Sequence, residues 1–272
     1  MRKKGSYLTL LAGLWAIGLQ QNFAQTQSVS AAGFTENAMK LRENVLFKIE
    51  PRNLQTDPLA GSDARFPWHT AIVTTVFWIG ESPTTNNPVP NQSSAWDAHW
   101  ALSFGGSDAP EISERRGFIP ARFIPRQNPF YLALPYNDVS MGRTKSEAYK
   151  VVPWLRQGFV RSGQTVLKGR WVAIRKGARV CYGQWEDVGP FRSDHWQYVF
   201  GNDRPRPNLN RGAGLDVSPA IRAYLSLGNT DATDWKFVDF EEVPPGPWAL
   251  YGDNNSFVID RRKREEAFAK MQ

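Results

Sequence analysis

One cysteine, Cys181, among 272 residues leaves no possible internal disulfide, so stability must come from core packing. Cys181 lies in a Val-Cys-Tyr run and reads as a small buried hydrophobe rather than a nucleophile. Histidine is almost as scarce. His69, His99 and His195 stand at no metal-ligand spacing with a second His or Cys, which argues against zinc. There is no Gly-x-Ser-x-Gly elbow and no phosphate loop with its lysine, so serine-hydrolase and nucleotide-binding readings fall away. The residues imply no cofactor.

Long apolar runs are missing too. Residues 7–19 form a run of thirteen, which as a helix spans ~20 Å against a bilayer core of ~30 Å. Arg2, Lys3 and Lys4 precede it and small residues follow. That pattern predicts a secretory signal peptide over residues 1–24, cut after Ala24, with Ala31 as the alternative, and a periplasmic or extracellular mature chain without a stable membrane span. Positive charge is not clustered. The net charge is +7, and removing Arg2, Lys3 and Lys4 leaves +4. The densest basic run, Arg261-Arg262-Lys263-Arg264, sits in a charged tail (251–272) that reads as a solvated helix. Nothing here makes the basic stripe that nucleic acid requires. The mild excess suits an anionic envelope polymer.

What is present is β-rich. Residues 25–65 read as a polar spacer or packing arm, with one helix near 35–46. From residue 66 onward, short β-branched and aromatic runs alternate with Pro, Gly and Asn. Strands are predicted at 69–79, 130–134, 171–175, 178–186 and 235–243, and a loop at 82–94. The segment 142–163 reads as an insertion with a short helix. Residues 215–226 begin as a strand and continue as a helix, with Ser218 at the N-cap and Pro219 in the first turn. The set predicts a mainly β domain over 66–250, a small closed barrel with long loop insertions, rather than a doubly wound sheet.

Two aspartates stand out. Asp187 ends a strand immediately before Gly189-Pro190, where the chain must turn at a barrel rim. Asp216 ends another strand just before a helix N-terminus, whose dipole favours an ionised carboxylate. A carboxylate kept ionised beside one kept protonated is what glycosidic cleavage needs. Each aspartate also reads as a turn brace. The chain carries eleven tryptophans, and several fall in loops or at strand ends, where flat rings stack on sugar faces. Trp78, Trp96, Trp185, Tyr131 and Tyr198 are the aromatic candidates for contacting substrate, and Asp97, framed by Trp96 and Trp100, is a third carboxylate. A packed loop with a capping Asp97 is the plainer alternative.

Asp187-Val188-Gly189-Pro190-Phe191, followed by Leu215-Asp216-Val217-Ser218 and a helix, resembles the double-psi β-barrel family of rare lipoprotein A. In that family the strands end Asp-Arg-Gly-Pro-Phe and Ile-Asp-Leu-Ser. Tyr131-Leu132-Ala133-Leu134-Pro135-Tyr136 is similar to the family's Ala-Ala-His-x-x-Leu-Pro-Phe segment. More distantly, expansins, membrane-bound lytic transglycosylase A and some endoglucanases share the barrel. The resemblance implies a six-stranded double-psi barrel over about 66–250 that binds, and in some members cleaves, a polysaccharide such as peptidoglycan glycan; the alternative is a non-catalytic carbohydrate-binding or wall-loosening module, or a protein-interaction barrel. It places the catalytic roles on Asp187 and Asp216. Two departures follow: Tyr131 stands where the family has histidine, and Val188 where it has arginine. The 192–211 connection, aromatic and basic, is expected to fold over the groove.

Overall fold

The computed structural model describes residues 65–84, 87–88, 90–155 and 161–271. The expected signal peptide, the helix expected at 35–46 and the spacer up to residue 64 lie outside these residues. Ten strands are present: β1 (His69–Val76), β2 (Arg115–Arg116), β3 (Ile119–Pro120), β4 (Tyr131–Leu134), β5 (Val139–Ser140), β6 (Arg143–Thr144), β7 (Arg170–Lys176), β8 (Arg179–Val188), β9 (Leu215–Val217) and β10 (Thr230–Phe237). Six close into a mixed barrel in the order β1-β10-β7-β8-β4-β9, with β9 bonding back to β1. The pairs β2-β3 and β5-β6 are separate two-stranded sheets.

Two of the six barrel pairings are parallel, β4 with β8 and β1 with β9. Exchanging β1 with β8, β4 with β9 and β7 with β10 maps every neighbour onto a neighbour, so the barrel is pseudo-twofold about the β4-β9 pair. This is the mainly β, double-psi arrangement expected above, although the sequence carries no visible repeat. The helices are few and mostly short: α1 (Trp100–Phe104), α2 (Ala148–Val151), α3 (Trp196–Val199), α4 (Pro219–Leu225) and α5 (Ser256–Ala269). No helix among the described residues is long and apolar enough to cross a membrane.

Local chemistry explains most of the elements. β7 and β8 meet at Gly177, whose φ of +57° is accessible to glycine without strain. Ser218 accepts the Ile221 N–H at 3.3 Å, and Pro219 opens α4 without losing a needed donor. Several boundaries differ from expectation: β1 stops at Val76 rather than 79, β8 runs on to Val188, and the last strand differs at both ends. The last strand starts at Thr230 rather than 235 because its polar first half (Thr-Asp-Ala-Thr-Asp) pairs with β1, and it ends at Phe237. Asp239 then caps a 3₁₀ turn through a capping box with Glu242. Nor is 251–258 a free tail: Tyr251, Asn255 and Val258 are buried, and Ser256 accepts the Trp171 indole N–H at 3.2 Å.

Inside the barrel, alternation along β4 sends Leu132 and Leu134 into the main core. Aromatic rings fill much of that core. Phe237, Trp185 and Phe200 form a triangle of rings, with Phe237 stacked 5.8 Å from Trp185 and 5.5 Å from Phe200, and Trp235 meets Phe237 edge-on at 5.1 Å. On the outer face of β4, Tyr131 and Ala133 pack under a second cluster of Phe77, Ile79, Trp100 and Phe104, supplied by the 77–130 connection. That connection is pinned by charge. Arg115 bonds Asp108 at 2.5 Å with both side chains buried, and the Tyr131 hydroxyl donates to the other Asp108 oxygen at 2.9 Å while accepting the Ile79 N–H.

Removing one partner of a buried ion pair strands the other. Asp108→Ala should lower unfolding free energy by about 3–5 kcal/mol in chemical denaturation, whereas Tyr131→Phe should cost only about 1 kcal/mol.

Candidate functional site

β4 is hydrogen-bonded along both edges, and one residue sits at the junction. Ala133 pairs with Asp187 on β8 and with Asp216 on β9, and Asp216 pairs in turn with Thr75 on β1. The four residues Asp187, Ala133, Asp216 and Thr75 therefore form one row across four strands. All four line a single cleft of about 590 Å³ on the outside of the barrel. Strand spacing puts the two aspartate Cα atoms about 10 Å apart, and the small Ala133 leaves the space between them open. Asp216 reaches back towards the turn after Asp187: a Cβ on Gly189 would lie 3.8 Å from its Oδ2.

A bulge sets the aim of Asp187. Leu132 pairs with Trp185, but Ala133 pairs with Asp187, so Glu186 is the extra residue on β8. Trp185 thus points into the core, and Asp187 is turned to the cleft face beside Ala133. The Trp185 indole N–H donates to the Asp187 carbonyl at 2.7 Å, which fixes the backbone at this point. The displaced Glu186 is buried, takes an Asn254 amide N–H at 2.9 Å and lies 3.9 Å from Lys168.

Neither cleft carboxylate has a cationic partner among the described residues; both are held by neutral donors. Asp187 Oδ1 accepts the Ala95 N–H at 2.8 Å, and Asp216 Oδ1 accepts the Thr75 hydroxyl. Burial pushes Asp187 up to about 6, opposed by the Ala95 and Val188 N–H groups. Burial pushes Asp216 up to about 7 against the Thr75 bond, and the like charges of Glu81 and Asp187 add to the rise. The expectation that the α4 N-terminus would keep Asp216 ionised is corrected. Ser218 occupies the cap position and takes the Ile221 N–H, whereas Asp216 faces the cleft, where burial raises its pKa. Both carboxyl groups thus hold their protons more tightly than an ordinary aspartate.

A third cleft carboxylate, Glu81, was not singled out from the sequence. It is buried just beyond β1, and its Oε2 accepts amide N–H groups from Asn87 (3.1 Å) and Asn91 (2.9 Å), which ties together the 81–91 loop forming one wall. No signal in the string Gly80-Glu81-Ser82 marks it. The remaining lining mixes neutral hydrogen-bonding side chains such as Asn210 and Asn229 with apolar ones such as Val76, Val188 and Pro190.

The expected aromatic platform is corrected. Trp185, Tyr131 and Tyr198 are fully buried and offer no ring face to a ligand. Trp185 belongs to the barrel core, Tyr131 bonds Asp108, and the Tyr198 hydroxyl accepts the Trp235 indole N–H at 2.7 Å. Trp78 and Trp96 are half-buried and line no part of the cleft; Trp96 donates to Asn137 at 3.0 Å and meets Trp185 edge-on. Asp97 is a loop brace rather than a third acid. It accepts the His99 N–H (2.9 Å) and the Gln127 amide (3.3 Å), with Lys168 4.0 Å away. The 192–211 connection lends Arg192, Ser193 and Asn210 to the cleft, but its middle is anchored, with Tyr198 and Val199 of α3 in the core. No group of three or more His, Cys, Asp or Glu side chains among the described residues is placed to hold a metal ion.

No family model, curated protein or solved structure matches this chain.

An aspartate whose folded pKa lies above its unfolded value binds protons more tightly when folded. Its stability cost is absent below pH ~4, grows as pH rises, and is complete above the folded pKa. Asp216→Asn should therefore raise stability at pH 8 by on the order of 2 kcal/mol, with the gain vanishing towards pH 4; paired thermal melts at the two pH values measure it.

Proposed function

We propose that this chain is an exported cell-envelope protein whose barrel cleft binds and cleaves a polysaccharide such as peptidoglycan glycan. The observation that carries the reading is the pair Asp187 and Asp216 on one face of the cleft, flanking Ala133, both half-buried and without a cationic partner among the described residues. Neutral amide and hydroxyl groups around them fit a hydroxyl-rich chain. The resemblance to the rare lipoprotein A barrel family supports the same chemistry at the same two positions.

In this reading Asp216, whose pKa burial raises to about 7, donates its proton to the glycosidic oxygen as the C1–O bond breaks. Asp187, ionised and held by the Ala95 N–H, stabilises the positive charge growing on the sugar ring. The sugar's own 6-hydroxyl oxygen then attacks C1 and its proton returns to Asp216. The products are an anhydro-sugar end and a free hydroxyl end, with no water consumed and the enzyme restored.

Binding without cleavage is the second reading. It is favoured by Tyr131, which stands where the family has a histidine and is buried against Asp108, out of reach of substrate.

Purified protein incubated with peptidoglycan should release anhydro-sugar fragments, separable by mass. Asp216→Asn should cut the rate by about 10²–10⁴-fold. Cleavage should show a bell-shaped pH profile with limbs near 6 and 7, rising as Asp187 ionises and falling as Asp216 loses its proton. Absence of fragments where a known lytic enzyme works, with glycan still sedimenting the protein, would establish the second reading.

A further inference from the structure

The turn that follows Asp187 has an unusual backbone. Phe191 has φ +59°, in the left-handed region that bulky side chains rarely adopt. The Arg192 N–H donates to the Pro190 carbonyl at 2.7 Å, which makes a γ-turn centred on Phe191 with φ of the disfavoured sign. Both flanks are fixed. The Gly189 N–H bonds the Leu134 carbonyl at 3.1 Å, and downstream the Asn137 N–H bonds Ser193 O and the His195 N–H bonds Pro135 O. The fold thus maintains a strained conformation at an aromatic residue, and strain of this kind clusters at ligand sites.

The strain does not serve to bury the ring. Phe191 is 42% exposed, and it lines the cleft next to Asp187. Every aromatic residue picked out from the sequence as a sugar platform is buried or lies off the cleft, which leaves this ring as the exposed one. Beside it is Arg192, also exposed and cleft-lining. It is the one cationic side chain among the described lining residues, and it forms no ion pair with any described carboxylate. A cation left unpaired next to an open ring is a recognition pair. The ring covers the apolar face of a pyranose, and the planar guanidinium takes a carboxylate in bidentate fashion.

We propose that Phe191 and Arg192 form a specificity subsite for a sugar bearing a carboxylate, positioned next to the Asp187–Asp216 pair. This rests on the reading of the cleft as a glycan site and names which glycans it selects: acidic ones. Two sugars carry such a group, N-acetylmuramic acid on its lactyl ether and a uronic acid at C6, and both present the same carboxylate to Arg192.

The test is binding by calorimetry, using Asp216→Asn protein to prevent turnover, with three tetrasaccharides. These are β-1,4-linked N-acetylglucosamine, the alternating N-acetylglucosamine–N-acetylmuramic acid polymer unit without peptide, and tetragalacturonate. At least one acidic tetramer should bind about tenfold more tightly than the neutral one, and whichever acidic tetramer binds more tightly identifies the carboxylate's carrier. Arg192→Gln should erase that preference, and Arg192→Lys should restore part of it. Phe191→Gly should weaken all binding about tenfold while leaving the melting temperature equal or higher, because glycine adopts the turn freely. A structural role for the ring would instead lower the melting temperature. Equal affinity for neutral and acidic tetramers, or a preference that survives Arg192→Gln, would overturn the subsite and leave the glycan cleft standing. No binding of any tetramer would overturn both.

Discussion

The alternation of four residues on β4 governs this molecule. Leu132 and Leu134 seal the barrel from within, while Tyr131 and Ala133 face outward. β4 is bonded to β8 on one edge and β9 on the other, so its outward positions fix where two other strands deliver their side chains. Tyr131 is taken up as the anchor for the 77–130 connection through Asp108 and Arg115. Ala133 is left small, and the two carboxylates stand on either side of it. The core, the outer cluster and the cleft are thus consequences of a single period-two pattern.

Burial acts on carboxylates in two contrasting ways here. Asp108 loses its hydration but gains a guanidinium at 2.5 Å and a phenol, and it holds a segment in place. Asp187 and Asp216 gain only neutral donors; burial raises the pKa of all three, but these two face the cleft. The first arrangement ties a segment down, whereas the second leaves carboxyl groups that titrate nearer neutrality at some expense of stability.

The legible parts of the fold were the local ones. β1 and β4 announce themselves by β-branched and apolar runs, the β7-β8 hairpin by Lys176-Gly177, and the β9-α4 junction by Ser218-Pro219. Both aspartates were visible because their strand ends carry distinctive turn residues. What escaped depends on pairing between distant segments. The polar first half of β10 looks like a loop until β1 lies beside it. The bulge that separates Glu186 from Asp187 exists only relative to β4. The tryptophans misled for a related reason. An aromatic at a strand end reads the same whether it points outward or inward, and only closure of the barrel decides that Trp185 points in. Glu81 gains its meaning from Asn87, Asn91 and Asp216, none of which it announces.

The order of strands around the barrel also bears on how the chain is made. β1 is synthesised first among the barrel strands, yet both its neighbours, β9 and β10, come last. Thr75 must wait for Asp216, 141 residues later. At ribosomal speeds that is roughly 10–30 s during which a β-branched strand has both edges bare. Such long-range closure is intrinsically slow and exposes the chain to aggregation. A holdase that keeps residues 69–76 covered until the end of synthesis would meet a need written into the topology itself.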